Sequence, residues 1–206
     1  MLGLPPTAAG WAITPMAVGW PLASAISGRL VPRLGYRPLL LAGFATSAAA
    51  AVAAALALRP GIPLLGVQAI MFGYGLGLGT ANPPLLIAVQ TSVPWNRRGV
   101  ATASTLFFRT IGGTLAVGIL GGVLTHALAG AGARPDLAER LIGPARATLD
   151  PALIAPLAGA LQGAMTIVFR AGAAIACAAF AAVLAFPRVE IAAPASTSSP
   201  TREDAA

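Results

Sequence analysis

The sequence predicts an all-α protein, a polytopic bundle of about five helices that cross a membrane. Of its 206 residues, 57% are hydrophobic and only 9% are charged, and the mean hydropathy is +0.81. Soluble domains carry about 25% charged residues. The apolar residues form runs of about 20, the length that a helix needs to cross a bilayer. We therefore interpret residues 1–186 as a transmembrane bundle, and residues 187–206, which are rich in Ser, Thr, Pro and Ala, as a disordered cytoplasmic tail.

The net charge of +7 does not indicate a nucleic-acid partner. All 13 basic residues are arginines, and apolar runs separate them into single residues or small groups. A phosphate-binding surface needs clustered charge, so we exclude nucleic-acid binding. The sequence contains no nucleophile–base pair, metal-ligand cluster or phosphate-binding loop. We therefore predict no enzymatic activity, no metal and no cofactor.

The first two predicted spans, residues 8–26 and 38–58, are joined by a short turn with three arginines. Pro15 and Pro21 lie inside the first span and should bend it. Membrane helices tolerate such prolines when neighbouring groups satisfy the freed carbonyls. The second span consists mostly of alanine and leucine.

The third predicted span, residues 62–89, is longer than a perpendicular helix needs, so we expect a tilt or a kink at Pro83–Pro84. Polar or small residues form a stripe about 80° wide on one face of it. Because its other faces are aliphatic, this stripe should face protein or water. We assign the glycines of the stripe to helix packing and its larger members to the wall of a substrate pathway. The glycines are Gly75 and Gly79, and the larger members are Gln68, Met71 and Asn82.

The fourth predicted span, residues 104–125, follows a compact charged break at residues 94–99. Small side chains recur along it every four residues. In lipid, such a ridge lets two helix backbones approach closely. We expect the ridge to pack against the third or the first span; it consists of Thr110, Thr114, Gly118 and Gly122.

Arg109 lies about three turns into the helix that begins after Gly99. A charge at that depth costs several kcal/mol unless it faces a cavity, pairs or reaches the interface. Two interpretations follow. Either the side chain extends to the headgroup layer, or it lines a polar cavity at the cytoplasmic end of the pathway.

The last part of the chain contains an extramembrane loop, residues 129–150, and a fifth span, residues 167–186. The loop carries all three of the acidic residues that precede the tail and should contain a short helix near residues 135–142. Arginine bias places the turn with Arg33 and the break with Arg97 in the cytoplasm. Five spans then put the amino terminus outside and the carboxyl terminus in the cytoplasm, which suggests part of a larger protein.

The order of these segments resembles the carboxyl-terminal part of the fourteen-helix drug/proton antiporter branch of the major facilitator superfamily. The similar segments are LGLPPTAAGWAITPMA, GRLVPRLGYRPLLLAG, the glycine-alternating third span, RRGVATAS and FFRTIGGTLAVGILGG. The resemblance implies that the second segment is the loop motif that recurs in both halves of these transporters. Its residues would be Gly28, Arg33, Gly35 and Arg37, with Pro32 in place of the usual aspartate.

The resemblance also implies a function, as an incomplete carboxyl-terminal half of a multidrug efflux permease in a bacterial plasma membrane. The partners would be the lipid bilayer, a small amphipathic or drug-like substrate, and the missing transporter helices or another membrane protein. The five spans contain no aspartate or glutamate, so proton coupling is expected only in the full-length context. The alternative is a helical membrane scaffold or accessory subunit that does not transport, because small-residue ridges serve that role as well.

Overall fold

A computed structural model describes residues 6–57, 61–130 and 151–185 of the chain. All regular structure in these ranges is helical, which confirms the all-α prediction. A short 3-10 turn, Trp95–Arg97, precedes the fourth of five long helices. The helices are α1 (Pro6–Leu34), α2 (Tyr36–Ala57), α3 (Leu64–Thr91), α4 (Arg98–Gly130) and α5 (Pro151–Leu184).

Four helical segments are long and apolar enough to cross a membrane. They are Tyr36–Ala57, Leu64–Thr91, Trp95–Val123 and Gln162–Leu184. The helix α1 has sufficient length for a fifth crossing, with 29 residues, but three prolines interrupt its sequence and it is the least apolar of the five. The architecture is that of an all-α membrane bundle.

The helices extend beyond the spans expected from hydropathy. The first continues to Leu34, the fourth begins at Arg98, and the fifth begins at Pro151. The reason is that hydropathy marks the hydrocarbon thickness, whereas helical hydrogen bonding continues through the headgroup layer. Residues 131–150 and 186–206 lie outside the described residues, and with them the expected helix near residues 135–142 and the tail.

The helix α3 lies between α1 and α2 and packs closely against both. The helix α2 also packs against α5, and α5 in turn contacts α4. The main apolar cluster joins α1, α2, α3 and α5 at the end of the bundle where α1 meets α2. Its buried members are Val31, Tyr36, Leu39, Leu40, Ala81, Ala88 and Val183.

A single glycine makes the turn between α1 and α2. Gly35 has φ +79, a left-handed conformation that favours glycine, and its N–H donates a 2.9 Å hydrogen bond to the carbonyl of Val31. Two residues after Gly35, the Nη2 group of Arg37 donates a 3.3 Å hydrogen bond to the carbonyl of Leu184 in α5. The turn therefore ends α1 and ties the start of α2 to the end of α5.

Candidate functional site along α1, α3 and α4

The alternating glycines of α3 pack against two neighbouring helices, α1 and α2. Successive glycines in GYGLGLG are two residues apart and therefore about 200° apart around a helix. Gly75 and Gly79 lie against α1, whereas Gly77 lies on the opposite face, against α2. All three are buried. This spacing lets α3 approach α1 and α2 at the same time.

The contact between α3 and α1 leaves no room for a side chain on either glycine. A Cβ atom on Gly75 would lie 2.6 Å from the carbonyl oxygen of Met16. One on Gly79 would overlap the carbonyl oxygen of Trp20 and lie 2.8 Å from the Cβ of Ala23. The two backbones therefore touch, which is the arrangement that favours helix association in lipid.

The contact between α3 and α2 is equally close. A Cβ atom on Gly43 of α2 would lie 2.6 Å from the backbone nitrogen of Ala81, and one on Gly77 would overlap the hydroxyl of Ser47. The sequence interpretation considered one stripe of α3 and missed this second face. The signal was present, because a two-residue glycine step always populates opposite faces of a helix.

Two serines of α1 complete the hydrogen bonding of α3 where its prolines interrupt it. Pro83 and Pro84 have no N–H group, so the carbonyls four residues earlier, those of Gly79 and Thr80, lose their helical donors. The hydroxyl of Ser24 donates to the Gly79 carbonyl at 3.2 Å, and that of Ser27 donates to the Thr80 carbonyl at 2.7 Å. Ser27 is only 1% exposed. The serines therefore stabilise backbone groups that would otherwise be unsatisfied inside the bundle.

A side chain of α3 likewise donates to a backbone carbonyl that a proline of α1 leaves without a partner. Pro15 leaves the carbonyl of Trp11 without its helical donor. The Nε2 group of Gln68 donates a 3.1 Å hydrogen bond to that carbonyl. The Gln68 amide, which we assigned to a substrate pathway, thus takes part in the contact between α1 and α3.

The other two members of the expected pathway wall lie at different positions along α3. Met71 is half-buried, and Asn82 is exposed. The glycines between them are covered by α1, so the stripe is interrupted by a helix contact.

Arg109 of α4 reaches towards α1. It is exposed, and its guanidinium carbon lies 5.8 Å from the centroid of the Trp20 ring, within the range of a cation–π interaction. Beside it, an open groove of about 470 Å³ runs along α4. The groove is lined by Arg109, Thr110, Gly113, Thr114 and Val117.

The small-residue ridge of α4 borders the same groove. The hydroxyls of Thr110 and Thr114 donate to carbonyls of the preceding turn, at 2.9 and 3.0 Å. Nothing among the described residues lies within 4 Å of a Cβ atom placed on Gly118 or Gly122. The six residues that we assigned to helix packing therefore divide into two groups. Gly75 and Gly79 are covered by α1, whereas Thr110, Thr114, Gly118 and Gly122 are exposed in the described part of the chain.

The expected loop motif lies at the arginine-rich end of the bundle. Gly28 is half-buried in α1, Arg33 is exposed in the last turn of that helix, and Pro32 is exposed beside it. Gly35 makes the turn, and Arg37 contacts α5 as described above. All six acidic residues of the chain fall in residues 131–150 and 186–206. The motif therefore has no acidic side chain to pair with inside the described ranges.

Curated proteins that match the chain include named transporters. The multidrug transporter protein MdtP of Bacillus subtilis is 32% identical over 124 residues, which are 60% of this chain and 23% of the relative. A tetracycline resistance determinant of Streptomyces rimosus is 29% identical over 156 residues, 73% of this chain and 44% of the relative. An uncharacterized MFS-type transporter of Mycobacterium tuberculosis is 31% identical over 128 residues, 61% of this chain and 18% of the relative. The chain is related to part of an MFS-type transporter.

The relationship to the MFS, the major facilitator superfamily, confirms the resemblance seen in the sequence. Together with the four apolar helices, it identifies the chain as an integral membrane protein. The chain spans less than half of the length of these MFS-type and drug-resistance relatives. No family model matches the chain, and no solved structure matches it.

Proposed function

We propose that this chain contributes helices to an MFS-type efflux transporter for small amphipathic, drug-like compounds. The single observation that carries the proposal is the set of relatives named as multidrug and tetracycline resistance proteins. These names favour transport over the alternative of a helical scaffold. The structure supports the proposal with an open, mostly apolar groove that carries a few polar groups, a combination suited to such compounds.

The exposed face of α4 supports a role inside a larger bundle. In the assembled transporter, we propose, the ridge of Thr114, Gly118 and Gly122 packs against a helix outside the described residues. The groove beside it would then be closed on its open side. Gln68, Met71, Asn82 and Arg109 would lie along the wall of the substrate pathway, with Gln68 also holding α1 in place.

The orientation proposed for the chain follows from its arginines. One end of the bundle contains the ends of α1 and α3 and the starts of α2 and α4. The arginines at this end are Arg29, Arg33, Arg37, Arg97 and Arg98. The positive-inside rule places this end in the cytoplasm. The bacterial relatives support a bacterial plasma membrane as the location. The carboxyl terminus would then be cytoplasmic and the start of α1 would face outside.

Proton coupling, in this proposal, depends on carboxylates that the five described helices do not carry. A vesicle experiment tests both parts of the proposal. The purified chain is reconstituted alone, or together with MdtP from which the 124 aligned residues have been removed, and a proton gradient is imposed. We expect gradient-driven movement of a fluorescent drug only in the combined vesicles. Drug movement by the chain alone would contradict the coupling proposal, and combined vesicles that are inactive with both parts inserted would contradict the transport role.

A further inference from the structure

Arg109 lies near the middle of the apolar part of α4. The helix is continuous from Arg98, so Arg109 lies about three turns, or about 16 Å, along it. Half of a typical hydrocarbon core is about 15 Å. Arg109 therefore lies well inside the apolar segment Trp95–Val123.

The surroundings of Arg109 compensate its charge only in part. A charged arginine inside the apolar part of a membrane helix is unfavourable. The cation–π contact with Trp20 offsets only part of that cost. The described residues contain no aspartate or glutamate that could supply the remainder. An anion at this position would therefore interact more favourably than a neutral or cationic compound.

The groove next to the guanidinium has a flat floor. Gly113 has no side chain, and no atom of the described residues lies within 4 Å of its Cβ position. The hydroxyl protons of Thr110 and Thr114 are committed to backbone carbonyls, so these side chains offer no donor to a ligand. Val117 continues the floor with an apolar surface. The groove thus combines one strong cationic donor at its end with a shallow surface on which a ring can lie.

We propose that Arg109 and Trp20 form a binding site for small planar aromatic anions, such as aromatic carboxylates or sulfonates. The acidic group binds the guanidinium, whose fork of N–H donors matches a carboxylate. The ring lies in the groove along Thr110 and Gly113. The inference rests on the proposed function, since it names the substrate class of that pathway. The site should also disfavour cationic substrates, because the Arg109 guanidinium repels a positive charge strongly in a medium of low dielectric constant.

Binding of 2-naphthoate to the full chain in phosphatidylcholine nanodiscs tests this site. Equilibrium dialysis measures the bound fraction, with empty nanodiscs as the correction for partitioning into lipid. We expect saturable binding that is at least tenfold tighter for 2-naphthoate than for its uncharged methyl ester or for the cation 2-naphthylmethylammonium. Arg109→Gln should remove this preference for the anion, and Trp20→Leu should weaken binding. Arg170→Gln is the matched control, because Arg170 is an exposed arginine in the apolar segment of α5.

Equal affinity of the unaltered chain for the acid and the ester would overturn the inference, and this comparison requires no variant to fold. A loss of binding in Arg170→Gln as large as that in Arg109→Gln would also overturn it. The assay uses no gradient and no transport, so its outcome is distinct from that of the vesicle experiment. Anion binding without drug movement would contradict the proposed function alone, and drug movement without anion binding would contradict this site alone.

Discussion

The hydroxyl of Ser27 in α1 donates a 2.7 Å hydrogen bond to the carbonyl of Thr80 in α3, the carbonyl that Pro84 leaves without a donor. This bond and its two counterparts, from Ser24 and Gln68, join α1 and α3 through backbone groups. A proline in one helix and a polar side chain in the other therefore act together. The pairing gives three of the five prolines inside α1 and α3 a specific partner, namely Pro15, Pro83 and Pro84.

Ser27→Ala should lower the unfolding free energy of the chain by about 1 kcal/mol, in the range of hydrogen bonds measured between membrane helices. The loss should be smaller in a Pro84→Ala background, because the restored N–H can donate to the Thr80 carbonyl itself. Reversible unfolding in bicelles measures all four corners of this cycle. Ser104→Ala, at an exposed position on α4, is the control. An identical loss with and without Pro84 would show that the serine does not act through the freed carbonyl.

Gly79→Ala should destabilise the bundle by about 1–3 kcal/mol, as overpacking does in a filled interior. The added methyl group would collide with the Trp20 carbonyl and the Ala23 side chain. Gly118→Ala is the matched change on α4, where none of the described residues lies within 4 Å of the added atom, and it should be neutral or slightly stabilising because alanine favours helices. Thermal unfolding of the purified chain compares the two. If both variants unfold like the parent chain, the close contact between α1 and α3 is absent.

Arg37→Gln should loosen the end of α5, because it removes the donor to the Leu184 carbonyl and a positive charge near a helix carboxyl terminus. An interaction of this kind contributes about 0.3–1 kcal/mol, which corresponds to about two- to fivefold faster local amide exchange. Hydrogen exchange with mass spectrometry measures this for the last turns of α5. Arg33→Gln, at an exposed position in the last turn of α1, should leave the exchange unchanged. Equal effects of both changes would indicate a general influence of charge and not this contact.

The membrane orientation can be tested by cysteine labelling in a Cys177→Ser background. Arg33→Cys and Arg97→Cys lie at the arginine-rich end of the bundle, and Gly130→Cys lies at the far end of α4. In intact cells, an impermeant thiol reagent should label only Gly130→Cys, because the positive-inside rule places the other two positions in the cytoplasm. Labelling of positions 33 and 97 without position 130 would reverse the proposed orientation.

Much of the helical architecture could be predicted from the sequence, since apolar runs of bilayer length leave few alternatives to helices. The prolines indicated where carbonyls would need new donors, but not which side chains would supply them. That choice depends on the rotation and register of α1 against α3, which hydropathy does not determine. The glycines of α3 indicate two contact faces, because residues two positions apart lie on nearly opposite sides of a helix. The sequence interpretation used only one of these faces.

The surroundings of Arg109 were less predictable. Its depth followed from the length of the fourth apolar run, yet its contact with Trp20 joins two helices that are distant in sequence and do not pack directly. The ridge of α4 looked like a packing surface by its residue types alone. Within the described residues no helix covers Gly118 or Gly122. Residue type indicates that another helix backbone can approach this face, but it does not identify which helix does so.

The central claim, that these helices work as part of a drug-efflux transporter, is tested most directly by a chimera. The 124 residues of MdtP that align with this chain are replaced by the residues of this chain, and efflux of a drug that MdtP exports is measured in cells lacking other exporters. We expect efflux above the background of cells without a transporter. We also expect loss of efflux in the chimera with Gly79→Leu but not with Gly99→Leu, since Gly79 touches α1 and none of the described residues lies within 4 Å of a Cβ atom on Gly99. A chimera that reaches the membrane in the same amount as MdtP, yet exports no drug, would contradict the account.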